Sequence, residues 1–182
     1  EETMEVLHDL VKAGKTRYIG ASSMYAWQFQ KAQFVAEQHG WTKFASMQNL
    51  YNLLYREEER EMMPLCQDQK VAVTPWSPVA KGRLARPWNT ETNRSEKDAI
   101  GNRFFPASAE SDKVIIQRVV KIAQELGVPM VQVAMAWVLS KSFVTTPLIG
   151  CTKVSQLDEA VGALQLKLTP EQVAFLEEPY IP

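Results

Sequence analysis

Four short apolar runs, each followed by a stretch with helical periodicity, limit what this chain can fold into more than any other feature. They are Tyr18 to Ala21, Phe44 to Gln48, Val71 to Thr74 and Val144 to Ile149. Strands this short that alternate with helices pair in parallel, with right-handed crossovers. The expectation is therefore an α/β fold with four parallel strands. Between the runs, Met4, Leu7 and Val11 recur on one helical face, with Val6 and Leu10 beside them, and Gly14 stops that helix. Ser23 is the expected N-cap of a helix from Tyr25 to Gln38, which His39-Gly40 closes. The acidic stretch Glu57 to Glu61 suits the first turn of a helix that continues through Met62, Met63, Leu65 and Cys66, with Pro64 opening a fresh turn. Helices are further expected from Asp112 to Leu126, from Pro129 to Lys141 and from Thr152–Ser155 to Leu164. Thr169-Pro170-Glu171-Gln172 is a capping-box pattern for a last helix reaching Glu177. A (β/α)8 barrel needs eight strands and roughly 250 residues. On pattern alone, a doubly wound sheet of four strands fits as well.

Composition narrows the function classes. A formal net charge of -1 lacks the basic surplus that nucleic acid or an anionic membrane demands. No apolar run approaches the ~18 residues of a membrane span. Glu1-Glu2-Thr3-Met4 is acidic where a secretory leader is basic, and its helical pattern reads as a start in mid-domain. Two cysteines, Cys66 and Cys151, are too few for a disulfide scaffold, so a reducing cytoplasm is expected. Arg83 to Ser111 has no periodicity and reads as one long loop after the third strand.

Each expected strand ends in polar or aromatic residues: Ser22-Ser23, Gln48-Asn49, Trp76-Ser77 and Gly150-Cys151-Thr152. In parallel α/β folds these C-terminal strand ends hold the active site. Read one at a time, Ser and Asn there merely cap helices, and on composition alone Trp76 is a core residue. Flanked by Pro75 and Pro78, however, its flat ring suits stacking on a planar ligand. Gly150-Cys151-Thr152 leads into a helix start whose free N–H groups suit a phosphate, and Lys153 adds a positive charge. No G-x-G-x-x-G, P-loop, G-x-S-x-G or Cys/His metal spacing is present. His8 and His39 read as solvated helix residues.

At four places the residues resemble aldo-keto reductases. Gly14 to Ser23 (GKTRYIGASS) is similar to that family's fifth-strand motif, and Met47 to Asn52 (MQNLYN) to its sixth. Pro75 to Leu84 (PWSPVAKGRL) is similar to the seventh, and Leu148 to Thr152 with Gln156 to Glu159 to the eighth. The match spans essentially the whole chain and is closest to the bacterial branch of open-chain reductases. It implies one partial domain over 1–182, the C-terminal half of a (β/α)8 TIM barrel. The implied activity is reduction of an aldehyde or ketone by NADPH. By position, Trp76 would stack on the nicotinamide, while Gln48, Ser22 and Ser23 hold its carboxamide. Ser77, Pro78, Val79 and Gly82 would wrap the pyrophosphate, with Lys81 or Arg83 adding charge. Gly150, Thr152, Lys153, Gln156 and Glu159 would hold the adenosine end, and Thr152 with Lys153 would favour a 2'-phosphate. Ala160 and Gln156 stand where the family often has Asn and Arg. The family's Asp, Tyr, Lys and His catalysts lie on strands with no counterpart here. No catalytic residue and no metal ligand is therefore assigned, and the isolated chain is expected to be catalytically incomplete. Its implied partners are a small carbonyl substrate and the missing N-terminal half of the barrel. The alternative is a non-catalytic NADPH-binding or structural fragment.

Overall fold

The computed structural model of the chain describes residues 1–88 and 110–181. Helix α1 (Glu2–Lys12) leads to strand β1 (Gly20–Ser22), helix α2 (Ala26–Gln38) and strand β2 (Ser46–Gln48). Helix α3 (Met62–Asp68), strand β3 (Ala72–Val73) and a tight helical turn (Ala80–Ala85) follow. Beyond the undescribed residues come α4 (Glu110–Leu126), α5 (Met130–Leu139), α6 (Val154–Gly162) and α7 (Pro170–Glu177). Most of the loop expected over 83–111 lies outside the described residues. Residues 83–85 belong to the tight turn, and 110–111 open α4.

The strands pair in parallel in the order β1-β2-β3. Gly20 faces Ser46, Ala21 faces Met47 and Ser22 faces Gln48, while Ser46 faces Ala72 and Met47 faces Val73. A Cβ on Gly20 would collide with the Ser46 hydroxyl and sit 3.1 Å from its carbonyl oxygen, so only glycine lets β1 and β2 approach this closely. The alternation along each strand is plain. Ala21, Met47 and Val73 are buried beneath the helices. Gly20 and Ser22 are exposed on the opposite face, and Ser46, Gln48, Ala72 and Thr74 are half-buried there.

The expected fourth strand is a correction. Val144 to Ile149 forms no ladder and contributes only two isolated parallel bridges, Val73 with Val144 and Trp76 with Leu148. The reason is local: Thr145 and Thr146 both spend their N–H groups on the single carbonyl of Val73, and Pro147 has none to give. The segment still lies beside β3. A second correction concerns Ser23, which is not the cap of α2. It turns the chain at φ +47. Tyr25 is the N-cap, and the Gln28 side chain accepts from its N–H at 3.2 Å. The capping box at Thr169 forms as read, with Gln172 N–H donating to the Thr169 hydroxyl at 3.2 Å.

The core lies between the sheet and α2, α3, α4 and α5. Phe29, Met47, Tyr51, Met62, Ile115 and Trp137 are among its largest fully buried side chains. Helix α5 is apolar all round because it is covered on nearly every side, with residues 133–138 all buried. A polar network closes this core at one end. The Tyr51 hydroxyl donates to Glu59 at 2.5 Å, and the Arg56 guanidinium donates to both Glu59 oxygens at 3.0 and 2.8 Å. Arg56 also reaches Glu177 on α7 at 3.3 Å, where Trp137 Nε1 donates at 2.8 Å and Lys141 pairs as well. Tyr180 accepts from the Arg56 N–H at 2.9 Å and donates to Glu57 at 2.6 Å. These bonds fasten the C-terminal helix to the segment that leaves β2.

Burial pushes the Glu59 carboxyl up, but hydrogen bonds from Arg56 and Tyr51 and the charges of Arg56 and Lys141 outweigh it, leaving it below the ordinary carboxylate range. A carboxyl depressed in the folded state stabilises above its unfolded pKa, near 4, and loses that contribution as pH falls through its folded value. Glu59→Gln should therefore lower unfolding free energy by about 1–3 kcal/mol at neutral pH. In urea titrations the gap between wild type and variant should close below about pH 4. A gap of equal size at pH 3 and pH 7 would refute this account.

Candidate functional site

All three strands point their C-terminal ends to one edge, and the side chains singled out in the sequence gather there. Ser22 at the end of β1 donates through its hydroxyl to the Gln48 carbonyl at the end of β2, at 2.9 Å, and its hydroxyl lies 3.3 Å from that of Ser23. Trp76 Nε1 donates to the same Ser23 hydroxyl at 3.3 Å. Its backbone N–H donates to the Asn49 carbonyl at 2.8 Å, and Leu148 N–H donates to the Pro75 carbonyl at 2.8 Å. Ser22, Ser23, Gln48 and Trp76 thus form one patch, with the 148–152 segment alongside.

Next to this patch runs a groove of about 600 Å³. One wall is Ser77, Pro78, Val79, Lys81, Gly82 and Arg86; the other is Gly150, Cys151, Thr152, Gln156, Glu159 and Ala160. Nine of the residues singled out for a dinucleotide therefore face one cavity, although they come from segments far apart in the chain, 77–82 and 150–159. The first wall is built from unusual backbone. Ser77 (φ +55), Ala80 (φ +48) and Lys81 (φ +54) adopt the left-handed region before Gly82 (φ +90). For each non-glycine residue this costs of order 1 kcal/mol or more. Internal bonds hold the shape. Ala80 N–H donates to the Ser77 carbonyl and Lys81 N–H to the Ser77 hydroxyl, both at 2.9 Å, and Gly82 N–H donates to the Val79 carbonyl at 2.8 Å. A Cβ on Gly82 would come within 3.1 Å of the Arg86 guanidinium. Glycine here leaves room for a cation against the groove floor.

Two expected ligands are placed differently. Arg83 does not line the groove; its guanidinium pairs with the buried Asp112 at 3.2 Å and ties the turn to the start of α4. Lys153 is the N-cap of α6 and is exposed beside the groove rather than in its wall. The donors at that helix start are also engaged. Gln156 Oε1 accepts from the Thr152 N–H at 2.9 Å, the Lys153 N–H at 3.3 Å and the Thr152 hydroxyl at 3.3 Å. A phosphate at this helix start would take over bonds that Gln156 now makes. Arg86, missed in the sequence, does line the groove. Burial and the nearby Arg83 charge both lower its pKa. Its signal was its spacing, four residues after Gly82, within reach of the same turn.

Two tyrosines in this region hold their protons more tightly than usual. Burial raises the Tyr51 pKa far above its ordinary value, and the hydrogen bond to Glu59 raises it further. Burial likewise raises Tyr55, with Glu58 and Glu57 adding to it. Among the described residues no group of three or more His, Cys, Asp or Glu is placed to hold a metal ion.

In parallel α/β layers, grooves at the C-terminal ends of the strands are where small ligands bind. Comparison with known families makes the class specific: the aldo/keto reductase family matches residues 1–181, and the chain belongs to that family. That membership brings the (β/α)8 barrel as the family fold. The chain is 50% identical over 184 residues to the versiconal hemiacetal acetate reductase of Aspergillus parasiticus, covering 100% of this chain and 53% of that protein. It is 44% identical to a putative aryl-alcohol dehydrogenase of Saccharomyces cerevisiae, covering 100% of this chain and 53% of that one. It is 47% identical to an aldo-keto reductase of Alternaria alternata, covering 99% and 48%. The chain spans about half the length of the curated relatives it matches. These relatives are fungal, and they lend no support to the expected bacterial branch.

The two cysteines, both free thiols, report on the site. Burial, with the Glu58 charge adding to it, pushes the Cys66 thiol up to about 11, while Cys151 is exposed in the groove wall. Iodoacetamide at pH 8 should alkylate Cys151 in the native protein and spare Cys66 until denaturant is added. Peptide mass mapping reads this directly, and early labelling of Cys66 would contradict the packing described.

Proposed function

We propose that this chain is the dinucleotide-holding, C-terminal half of an aldo-keto reductase that reduces aldehydes or ketones with NADPH. The observation that carries the reading is the groove, whose two walls come from distant segments and present Lys81 and Arg86 to one cavity. Two cations, a glycine that clears space and a helix start on the opposite wall suit a pyrophosphate better than an apolar ligand. When bound, NADPH would supply a hydride to the carbonyl carbon. Trp76, held by its indole N–H to Ser23, offers a flat surface at the open strand ends where the nicotinamide would lie. Ser22 and Gln48 stand beside it to orient a carboxamide. Thr152 and Lys153 at the α6 start favour a 2'-phosphate, hence NADPH over NADH.

Tyr51, which follows β2, is poorly placed to supply the proton for the carbonyl oxygen. Tyr51 already donates to Glu59, and burial opposes its ionisation. We therefore assign the acid to a preceding half that completes the barrel. Its docking surfaces are the open polar face of the sheet and two apolar flanks. Val154, Leu157, Val161 and Leu164 lie exposed at helical spacing along and just beyond α6, and Val6 and Leu10 lie exposed on α1. Free thiols at Cys66 and Cys151 accord with a reducing compartment, and we place the protein in the cytoplasm.

Nicotinamide fluorescence titrations on the whole protein should show NADPH binding more tightly than NADH. Trp76→Ala should weaken NADPH by ~10-fold, the loss expected for removing a stacked aromatic. Bound NADPH should also shield Cys151 from iodoacetamide. The 182-residue chain alone should bind more weakly and give no steady turnover of a generic aldehyde. Turnover by the isolated chain, or NADPH that leaves Cys151 unprotected, would sink the proposal.

A further inference from the structure

Asn49 and Asn52 leave the end of β2 fully buried, and Asn52 spends both ends of its amide on backbone. Its Nδ2 donates to the Ser77 carbonyl at 2.9 Å, and its Oδ1 accepts from the Leu54 N–H at 2.9 Å. Ser77 is where the chain leaves the β3 edge and enters the left-handed region, at φ +55. The same carbonyl accepts from Ala80 N–H at 2.9 Å, so it has two donors, one inside the turn and one outside. The preceding residue is gripped on both sides by the same neighbouring segment. Trp76 N–H donates to the Asn49 carbonyl at 2.8 Å, and the Trp76 carbonyl accepts from Tyr51 N–H at 3.5 Å. Serine has no intrinsic preference for a left-handed conformation. Contacts from beyond the turn must therefore select it, and Asn52 supplies one at the residue where the turn begins.

We propose that Asn52 is a positioning residue for the dinucleotide site. It touches no ligand. By holding the Ser77 carbonyl, and with it the Ser77–Pro78 peptide that follows Trp76, it sets the ring of Trp76 against the wall that runs from Ser77 to Gly82. Stacking and phosphate binding are thereby held at one mutual angle. The inference rests on the dinucleotide reading of the groove.

The test compares two buried amide clasps in the whole protein. Gln33, 4% exposed, grips the Phe44 backbone in the same manner, its Nε2 donating to the carbonyl at 3.1 Å and its Oε1 accepting from the N–H at 2.8 Å, away from the groove. Asn52→Asp keeps the shape and removes the donor, whereas Gln33→Ala removes the control clasp. Both should lower the thermal midpoint. Asn52→Asp should weaken NADPH binding, read by nicotinamide fluorescence, by ~10-fold, as expected when a part-buried carbonyl loses the one of its two donors that lies outside the turn. Gln33→Ala should leave the Kd within about twofold, since distant sites act independently. Should Asn52→Asp fail to fold, Asn52→Ala, which sets no carboxylate against the Ser77 carbonyl, carries the same expectation. Wild-type affinity in a destabilised Asn52 variant, or a parallel loss in Gln33→Ala, would overturn the assignment. Failure of the wild-type protein to bind NADPH would instead remove the groove reading beneath it.

Discussion

Parallel pairing of strands only two or three residues long is the constraint on which the rest of this structure depends. Ladders this short hold little by themselves, so the sheet exists because helices bury one of its faces. Ala21, Met47 and Val73 face that helical layer, and Gly20 permits the close approach of the first two strands. Once pairing is parallel, all C-terminal ends fall on one edge. The residues that follow the strands are then neighbours whatever their separation in sequence. Ser23 can receive the Trp76 indole N–H, and Gly150 can face Gly82, for that reason alone.

The segment from Asn49 to Arg60 connects this edge to the rest of the core. On one side its backbone and the Asn52 side chain hold Trp76 and Ser77. On the other, Arg56 and Glu57 bind Glu177 and Tyr180, so the C-terminal helix and the groove wall share one anchor. Buried charges of this kind stabilise only when every partner is in place. Arg56 meets that condition through two carboxylates and the faces of Trp137 and Tyr180, at 5.6 and 5.3 Å. A wall containing three left-handed non-glycine residues needs so rigid a support, because nothing in the local sequence selects that conformation.

The sequence carried the element order and most of the groove, since both are written in local signals. Apolar runs mark the strands, glycines 14, 40 and 127 end helices at positive φ, and Thr169 announces its own capping box. What escaped depends on which partner a side chain finds in three dimensions. Val144 to Ile149 looks like a strand, yet Pro147 and the shared Val73 acceptor leave it two bridges. Arg83 and Arg86 are equally basic and three residues apart; Asp112 draws the first away, and the turn at Gly82 presents the second. Gln156 read as a ligand residue, but without a ligand it bonds the helix start itself. Asn52 was visible only as a letter in a motif, because a buried amide clasp on a distant carbonyl has no periodic trace.

The distribution of polar groups argues for a division of labour within the proposed enzyme. Hydride transfer to a carbonyl needs a cofactor held at a fixed angle and a proton donor near the carbonyl oxygen. This chain is rich in groups that fix angles: the Ser22–Gln48 bond, the Ser23–Trp76 bond and the strained turn at Ser77. Two of its hydroxyls with raised pKa are committed elsewhere. Tyr51 and Tyr180 donate inward to Glu59 and Glu57, and an acid already committed to a carboxylate cannot release its proton to a substrate without breaking that bond. The open sheet face carries serine, glutamine and threonine rather than an apolar core, so a preceding half would meet a surface able to hydrogen-bond to it. A barrel closed in this way would place the donor half across from Trp76, with substrate between the two. The flanking apolar rows on α1 and α6 are the surfaces whose burial would drive that closure.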